Sequence, residues 1–261
     1  MTPLPSLTWA VSSDPGLKRT SNEDSYSTRP DVGLFVVADG MGGHVAGEVA
    51  SRVAVEAIEA FIQETAGADK NRTWPFPFDP TVSLEANRLR AAFRLANRKI
   101  ASAIADSQDL RGMATTASAV LLGPRSSASV AHVGDSRVYV LRAGKLDQIT
   151  NDHSWVEEQV RAGTLSPTAA RQHPWRNVVT RALSGGDDPE VDVTEVSPKA
   201  GERYLLCSDG LFGVVPDSRI AELLGQLDAP LDAICRSLVA AANAGGGPDN
   251  ITALILQIDA P

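Results

Sequence analysis

Short runs of β-branched and aliphatic residues recur along the chain, and each ends at Gly, Asp or Asn. Such runs predict β-strands, because these side chains fit a pleated surface and the residues that end them favour turns. The predicted strands are TWAVSSD, GLFVVAD, ASAVLLG, SVAHVGD, VYVLRAG, VDVTEV, RYLLCSD and ITALILQID. Ala143-Gly144 separates two neighbouring runs as in a hairpin, which predicts antiparallel pairing.

Four other segments carry apolar residues at spacings of three and four, the pattern of a helix packed on one side. They cover residues 49–62, 89–104, 220–224 and 231–238. These helices form an early and a late pair, with strands before, between and after them. The order predicts an α+β fold, a four-layer αββα sandwich of two antiparallel sheets flanked by helix pairs.

The length and composition favour one globular domain. The chain has 261 residues, 43% of them hydrophobic, which is enough to build a substantial core. It contains no internal repeat and no low-complexity linker. We therefore predict a single domain over residues 8–258, with flexible ends at residues 1–7 and 259–261.

The net charge of -8 leaves no basic face for nucleic acid or anionic lipid. Cys207 and Cys235 form no CxxC or Cys/His cluster, which favours a reduced pair and argues against zinc. The N-terminus lacks the regions of a signal peptide, and no run reaches the ~20 apolar residues of a membrane span. We expect a monomeric, cytoplasmic protein with no nucleic-acid or membrane partner.

Three predicted strands end at an aspartate, and a fourth aspartate directly precedes a strand. These residues are Asp39, Asp135, Asp209 and Asp249, each flanked by Gly, Ser or Asn. Carboxylates at the ends of buried strands cannot all be ionised at close range unless cations compensate their repulsion and desolvation. Hard divalent ions such as Mg²⁺ and Mn²⁺ prefer such oxygen ligands, and the glycines let the backbone approach an ion. The alternative is four ordinary turns after strands.

Charged residues also follow the first predicted strand. Arg19 can hold a phosphate through two parallel hydrogen bonds, and Glu23 and Asp24 can accept from metal-bound water. Taken alone, the stretch is equally well interpreted as a solvated, charged strand end.

Together these residues form an ordered set: RTSNED from Arg19, DGMGGHVAGEVAS from Asp39, Thr115-Thr116, GDSR from Gly134, SDG from Ser208 and GPDN from Gly247. The set resembles the metal-dependent serine/threonine protein phosphatases, the PPM or type 2C family, and in particular their compact bacterial members. The resemblance covers nearly the whole chain, in the order and approximate spacing of the family.

The resemblance implies an αββα sandwich with a binuclear Mn²⁺ or Mg²⁺ centre where the two sheets meet. By position, Asp39 would bridge both ions and the Gly40 carbonyl would bind one of them. Asp209 and Asp249 would complete the coordination shells.

Other matched residues have implied roles around this centre. Glu23 or Asp24 would act through bound water. Many bacterial members bind a third ion, and Asp135 with Asp209 matches that site. Arg19 matches the phosphate-binding arginine of the family.

The implied activity is hydrolysis of phosphoserine and phosphothreonine on proteins by a metal-activated water. The implied partners are phosphorylated proteins, including a bacterial Ser/Thr kinase and its substrates. A catalytically weak regulatory or binding module on the same fold is an alternative, which the absence of a metal aspartate would support. A metal-dependent phosphodiesterase acting on nucleic acid is disfavoured by the acidic charge balance.

The chain departs from the family pattern at two positions. Ala114 precedes Thr115 where glycine is usual, which we interpret as a tolerated packing change. Met41 stands where many eukaryotic members carry a histidine proposed as the general acid. His44 is the nearest histidine in sequence, but a metal-bound water is the simpler proton donor.

Residues 152–176 predict two short helices. Ser154 and Glu157 form a capping-box pattern for the first, and Ser166 and Pro167 suit the start of the second. Helices this short, with few large apolar residues, are not stable alone. The segment is therefore predicted to be a lightly anchored flap, and the resemblance places such a flap beside the metal site.

Overall fold

The structure is a computed structural model that describes residues 5–42, 45–67, 73–124 and 127–259. Within these residues the strands are β1 Leu7–Asp14, β2 Asp24–Arg29, β3 Leu34–Met41, β4 Ala114–Thr115, β5 Ala117–Leu122, β6 Ala128–Val133, β7 Arg137–Arg142, β8 Lys145–Gln148, β9 Asp192–Val196, β10 Arg203–Cys207 and β11 Ile251–Ile258. The helices are α1 Val45–Glu64, α2 Leu84–Asp106, α3 Trp155–Arg161, α4 Pro167–Arg171, α5 Asp209–Phe212, α6 Asp217–Leu224 and α7 Leu231–Ala244. A 3₁₀ turn covers Gln108–Leu110.

The strands form two antiparallel sheets. One sheet has five strands in the order β1-β11-β10-β7-β8. The other has the order β2-β3-β5-β6-β9, and the short strand β4 pairs with the end of β3. The chain passes between the sheets several times, so residues at strand ends from distant parts of the sequence meet at one edge.

Three layers of apolar side chains fill the spaces between the four structural layers. In β3, Leu34, Val36 and Ala38 pack in the cluster that includes α1 and α2, whereas Phe35 and Val37 lie in the cluster between the two sheets. A third cluster joins the five-stranded sheet to α6 and α7. Burial on both faces explains why the strands read as continuous apolar runs and not as alternating patterns. The predicted four-layer αββα sandwich is confirmed.

The eight strands predicted from apolar runs and the four predicted helices are all present. The predicted hairpin is confirmed as well, because Arg142 pairs with Lys145 across Ala143 and Gly144. Both turn residues have positive φ, 49° and 79°, as a two-residue hairpin with right-handed strand twist requires.

Strand β2 was not predicted, because its sequence DSYSTR contains no apolar run. Its polar side chains instead find polar partners on α1. Ser27 donates to the carboxylate of Glu59 at 2.7 Å, and Ser25 shares a hydrogen bond with Ser51 at 2.9 Å. The strand is therefore stabilised by tertiary contacts that no local pattern records.

The single domain over residues 8–258 and the flexible ends stay predictions. Leu7 pairs with Ile258 at the start of β1, and the amide of Asp259 donates to the carbonyl of Ser6 at 3.0 Å, so the described parts of both ends lie side by side. Residues 1–4, 260 and 261 lie outside the described residues. In the part of the chain that is described, no helix has both the length and the apolar content needed to cross a bilayer.

Candidate metal centre

The six-stranded sheet brings Asp24 and Asp39 together at one edge. They face each other in the register of β2 and β3. The backbone of Asp39 is held in place by the threonine pair: its amide donates to Oγ1 of Thr116 at 3.2 Å, and its carbonyl accepts from Oγ1 of Thr115 at 2.8 Å. The position of the Asp39 carboxyl group is therefore set by the sheet.

The five-stranded sheet contributes two more aspartates to the same edge. Asp209 follows β10 as the first residue of α5, and Asp249 lies just before β11. Strands β10 and β11 are neighbours, so the two loops touch, and a Cβ on Gly210 would collide with the carbonyl oxygen of Asn250. The glycine of the SDG motif thus permits close packing of the two ligand-bearing loops.

Asp24 connects the two sheets. Its Oδ2 accepts hydrogen bonds from Ser208 Oγ and Thr252 Oγ1, both at 2.7 Å. Its Oδ1 is buried and has no hydrogen-bond partner. A buried carboxylate oxygen without a partner is costly, so this atom points to a ligand such as a cation or its water.

The predicted residues surround one cavity of about 500 Å³. Those that line it are Arg19, Glu23, Asp39, Gly40, Asp135, Asp209 and Asp249. Asp24 is not among the lining residues, because its buried side chain is turned toward Ser208 and Thr252, which donate hydrogen bonds to it. Met41 also lines the cavity, whereas His44 lies outside the described residues.

Burial and mutual repulsion raise the pKa values of Asp24, Asp39, Asp135 and Asp209. The pKa of Asp39 lies well above its ordinary value, first because of burial and then because of its charge interaction with Asp24. Burial likewise raises the pKa of Asp24 to about 7, that of Asp135 to about 8 and that of Asp209 to about 6. Without cations, the ionised cluster is therefore unfavourable at neutral pH.

These residues fit divalent cations. All the donors are hard oxygen atoms, as Mg²⁺ and Mn²⁺ prefer. Among the described residues, no three carboxylate, histidine or cysteine side chains enclose a single point closely enough to hold an ion by themselves. A complete shell would therefore draw on the Gly40 carbonyl and on water, which small divalent cations commonly retain.

The glycine-rich loop brings helix α1 close to the carboxylates. A Cβ on Gly40 would collide with the carbonyl oxygen of Gly47, and a Cβ on Gly47 would collide with Oε2 of Glu23. Gly40 is thus required by close approach of the backbone, and Gly47 leaves room for the side chain of Glu23. The start of α1 consequently lies against Glu23 at the edge of the cavity.

The sequence of this chain matches known proteins over most of its length. Residues 18–243 match the family model described as Protein phosphatase 2C. The chain belongs to the protein phosphatase 2C family. The family predicted from the ordered motifs is therefore confirmed.

Two relatives illustrate the range of this similarity. The serine/threonine protein phosphatase PstP of Mycobacterium tuberculosis is 39% identical over 252 residues, which cover 97% of this chain and 45% of the relative. The chain thus spans less than half the length of PstP. The serine/threonine phosphatase Stp of Listeria monocytogenes is 36% identical over 252 residues, 94% of each protein.

Solved structures agree with the observed architecture. A crystal structure of the Mycobacterium tuberculosis phosphatase PstP has a TM-score of 0.85 at 37% identity and covers 97% of this chain and 99% of that one. A second structure, of the PstP catalytic domain with two manganese ions, has a TM-score of 0.80 at 37% identity.

In this phosphatase 2C domain, Arg19 contacts one of the proposed metal ligands. Its Nη2 donates to Oδ2 of Asp249 at 2.7 Å, and about half of the arginine side chain is exposed. The guanidinium is therefore at the mouth of the cavity, where an incoming phosphate would meet it.

The arginine of GDSR, Arg137, has contacts that its motif did not indicate. Arg137 donates to both carboxylate oxygens of Asp152 and to the hydroxyl of Tyr139, and its guanidinium carbon lies 3.7 Å from the ring centre of Phe212. It lines a second cavity of about 540 Å³, which shares Asp135 and Asp209 with the first. In the sequence, only the charges of Arg137 and Asp152 could have indicated this ion pair.

The predicted flap helices are present as α3 and α4. Ser154 caps α3, accepting from the amide of Glu157 at 3.4 Å, and Ser166 caps α4 in the same way. Asn177 and Val179, which directly follow the flap in the chain, line the cavity that the aspartates surround.

Proposed function

We propose that this phosphatase 2C domain hydrolyses phosphoserine and phosphothreonine in proteins with a metal-activated water. The observation that carries the proposal is the convergence of Asp39, Asp135, Asp209 and Asp249 on one cavity. The raised pKa values of Asp39, Asp135 and Asp209 indicate a cluster that needs cations at neutral pH. When bound, two divalent cations would supply an activated water and neutralise charge on the phosphoryl oxygens.

The side chains then have distinct roles. Asp39, Asp209 and Asp249, together with the Gly40 carbonyl, would hold two Mn²⁺ or Mg²⁺ ions. Asp24 would act through water, which its free Oδ1 suits. Metal binding in this chain is supported by the two manganese ions in the related PstP structure.

Outside this core, Asp135 with Asp209 would hold a third ion, and Glu23 would accept from bound water. Arg19 would hold the phosphate group, since it lies at the mouth of the cavity with its side chain half exposed. A bidentate guanidinium matches phosphate geometry and orients it for in-line attack without a covalent enzyme intermediate.

The leaving serine or threonine oxygen needs a proton. Met41 cannot supply one, and no histidine is found among the described residues that line the cavity. We propose that a water molecule donates this proton.

The substrates would be phosphorylated proteins, including a Ser/Thr kinase and its targets. This is supported by the names of the relatives PstP, Stp and PhpP, which are protein phosphatases. Residues 8–258 would act as one catalytic domain, and we propose that it is monomeric and works in the cytoplasm.

The test is hydrolysis of a phosphothreonine peptide and of an aryl phosphate, each with Mn²⁺, Mg²⁺ or a chelator. We expect turnover with a divalent metal and none with chelator, and the matched control is Asp39→Asn. Absence of turnover with every metal would refute the enzyme and favour a binding module on the same fold.

A further inference from the structure

His153 is buried at the base of the flap and is joined to the loop that carries Asp135. Its backbone amide donates to the carbonyl of Gly134 at 2.7 Å, and the amide of Gly134 donates back to Nδ1 of the ring at 3.1 Å. Two hydrogen bonds therefore connect the first turn of the flap to the residue that precedes a proposed metal ligand.

The contact with Gly134 fixes the tautomer of the ring. Because Nδ1 accepts a hydrogen bond, Nε2 of the neutral imidazole carries the hydrogen and donates to Oδ2 of Asp192, 3.1 Å away. Burial lowers the pKa of His153, which favours this neutral form. Arg181 lies 3.4 Å from Nε2, but two donors cannot bond each other, so its partners are Asp192 and Glu190.

Gly134 also packs against Thr116, the residue that is hydrogen-bonded to Asp39. Its φ is +111°, and a Cβ there would collide with Thr116, so the loop packs directly on the threonine. Thr116 in turn pairs with Asp39, donating from its amide to the Asp39 carbonyl at 2.9 Å and accepting at Oγ1 from the Asp39 amide. Direct contacts thus connect His153, through Gly134 and Thr116, with Asp135 and Asp39, which both line the cavity.

The segment that follows the flap is hydrogen-bonded to the same part of the structure, at His153 and Thr115. The amide of Thr180 donates to the carbonyl of His153 at 2.8 Å. Leu183 then exchanges two backbone hydrogen bonds of 2.9 Å with Thr115, the residue whose hydroxyl holds the Asp39 carbonyl. Both flap ends are therefore built into the framework of the metal centre, whereas α3 and α4 extend from it.

We propose that His153 is a positioning residue that aligns the Asp135 loop for the third cation and couples the flap base to the metal centre. The proposal rests on the proposed function for the role of Asp135. It separates the flap into a base that supports the chemistry and helices that contact the substrate. The residue acts through Gly134 and touches neither substrate nor metal.

Two substitutions separate the bonds made by the ring. In His153→Asn, the amide oxygen can replace Nδ1 as the acceptor for Gly134, but the contact with Asp192 is lost. In His153→Gln, the longer amide can replace Nε2 as the donor to Asp192, but the acceptor for Gly134 is lost. Glutamine is closer to histidine in size, so a role in packing alone would favour the glutamine variant.

The measurement is calorimetric titration of Mn²⁺ into the metal-free full chain. We expect His153→Asn to bind all ions nearly as wild type. For His153→Gln we expect the weakest ion to bind roughly tenfold to a hundredfold less tightly, the usual effect of losing a partner that orients a metal ligand. The kcat for an aryl phosphate should fall in parallel, with little change in KM. The opposite ranking of the two variants, or unchanged Mn²⁺ binding by the glutamine variant, would overturn the proposal.

Asp192→Ala gives a second test that does not touch the buried ring. Asp192 is partly exposed. Without this acceptor for Nε2, the His153 ring is free to change tautomer, and Nδ1 would then no longer accept from the amide of Gly134. We expect a smaller loss of affinity for the weakest ion, with Tm in chelator close to that of wild type. Wild-type Mn²⁺ binding here would contradict the role of the tautomer. Because binding is measured without substrate, a lack of phosphatase activity in wild type would refute the proposed function and leave this test intact.

Discussion

Arg19 and Asp249 form a direct ion pair, with Nη2 of the arginine 2.7 Å from Oδ2 of the aspartate. The hydrogen bond raises the pKa of Arg19, so the guanidinium stays charged. The other carboxylate oxygen of Asp249 accepts from the amide of Asn250. A cation that binds Asp249 would therefore displace the guanidinium and leave it free for phosphate.

The first prediction concerns Arg19→Ala. This variant should mainly raise KM for phosphopeptides and lower kcat less, because a bidentate phosphate contact already exists in the ground state. A charge-assisted hydrogen bond contributes about 1.5–3 kcal/mol, so we expect KM to rise roughly tenfold to a hundredfold. Steady-state kinetics with a phosphothreonine peptide measure both constants.

Mn²⁺ titration is the control for this variant. Loss of the guanidinium removes a competitor for Asp249, so metal binding should not weaken. A fall in kcat at unchanged KM would instead place Arg19 in the transition state and contradict a role in ground-state binding.

The second prediction is that Asp39→Asn and Asp209→Asn abolish turnover but preserve the fold. Each change removes a charged ligand, while the amide keeps the volume and lessens the repulsion within the cluster. In chelator, Tm should equal or exceed that of wild type, and added Mn²⁺ should raise Tm less than it does in wild type. Wild-type turnover in either variant would refute its assignment as a metal ligand.

The third prediction separates the Asp135 site from the binuclear pair. Asp135 lies in the connection between β6 and β7, whereas Asp39 lies in β3, Asp209 begins α5 and Asp249 lies just before β11. Asp135→Ala should therefore give a folded protein with two tightly bound metal ions and much reduced turnover. Three ions in a crystal of this variant soaked with Mn²⁺ would contradict the assignment.

The fourth prediction concerns the helices of the flap. Shortening the chain between Gly163 and His173 removes α4 but leaves both anchored ends of the flap in place. Aryl phosphate hydrolysis should be spared, because no residue of α3 or α4 lines the cavity with the aspartates, whereas turnover of the larger phosphoproteins should fall. Parallel kinetics on the two substrates provide the test, and equal losses would show that these helices support the catalytic centre.

The fifth prediction concerns stability and pH. His132 is buried in β6, and burial followed by repulsion from His153 lowers its pKa from 6.5 to about 3. Between these values the unfolded state binds the proton and the folded state does not. Stability therefore falls as pH drops below about 6.5, by up to about 1.4 kcal/mol per pH unit for one group.

His132→Asn should remove this slope. Because other groups titrate in the same range, the informative quantity is the difference in free energy of unfolding between wild type and variant, measured with urea in chelator from pH 7.5 to 4.5. Asparagine keeps a polar atom near Ser118, to which Nδ1 is now bonded at 2.9 Å. The free energy of unfolding of wild type should exceed that of the variant by less and less as pH falls, because only wild type loses the contribution of His132. A difference that stays constant with pH would show that His132 does not contribute to the pH dependence of stability.

The sequence alone determined eight strands with apolar runs, the main helices and the positions of the aspartates relative to them. These features depend on local physics: apolar runs of strand length, helical spacing, and residues that favour turns. Asp39, Asp135 and Asp209 were recognisable because each directly follows such a run. The order of the motifs then identified the family, which no single motif could do.

The tertiary structure decided which of these residues meet and what holds them there. Strand β2 exists because Ser25 and Ser27 find partners on α1, and Asp24 is buried because two hydroxyl groups from the opposite sheet bond it. His153 looked like one more residue of a surface flap, yet it is bonded to Gly134 in a distant loop. Such contacts follow from the register of strands far apart in the chain, and a local pattern of residues does not encode that register.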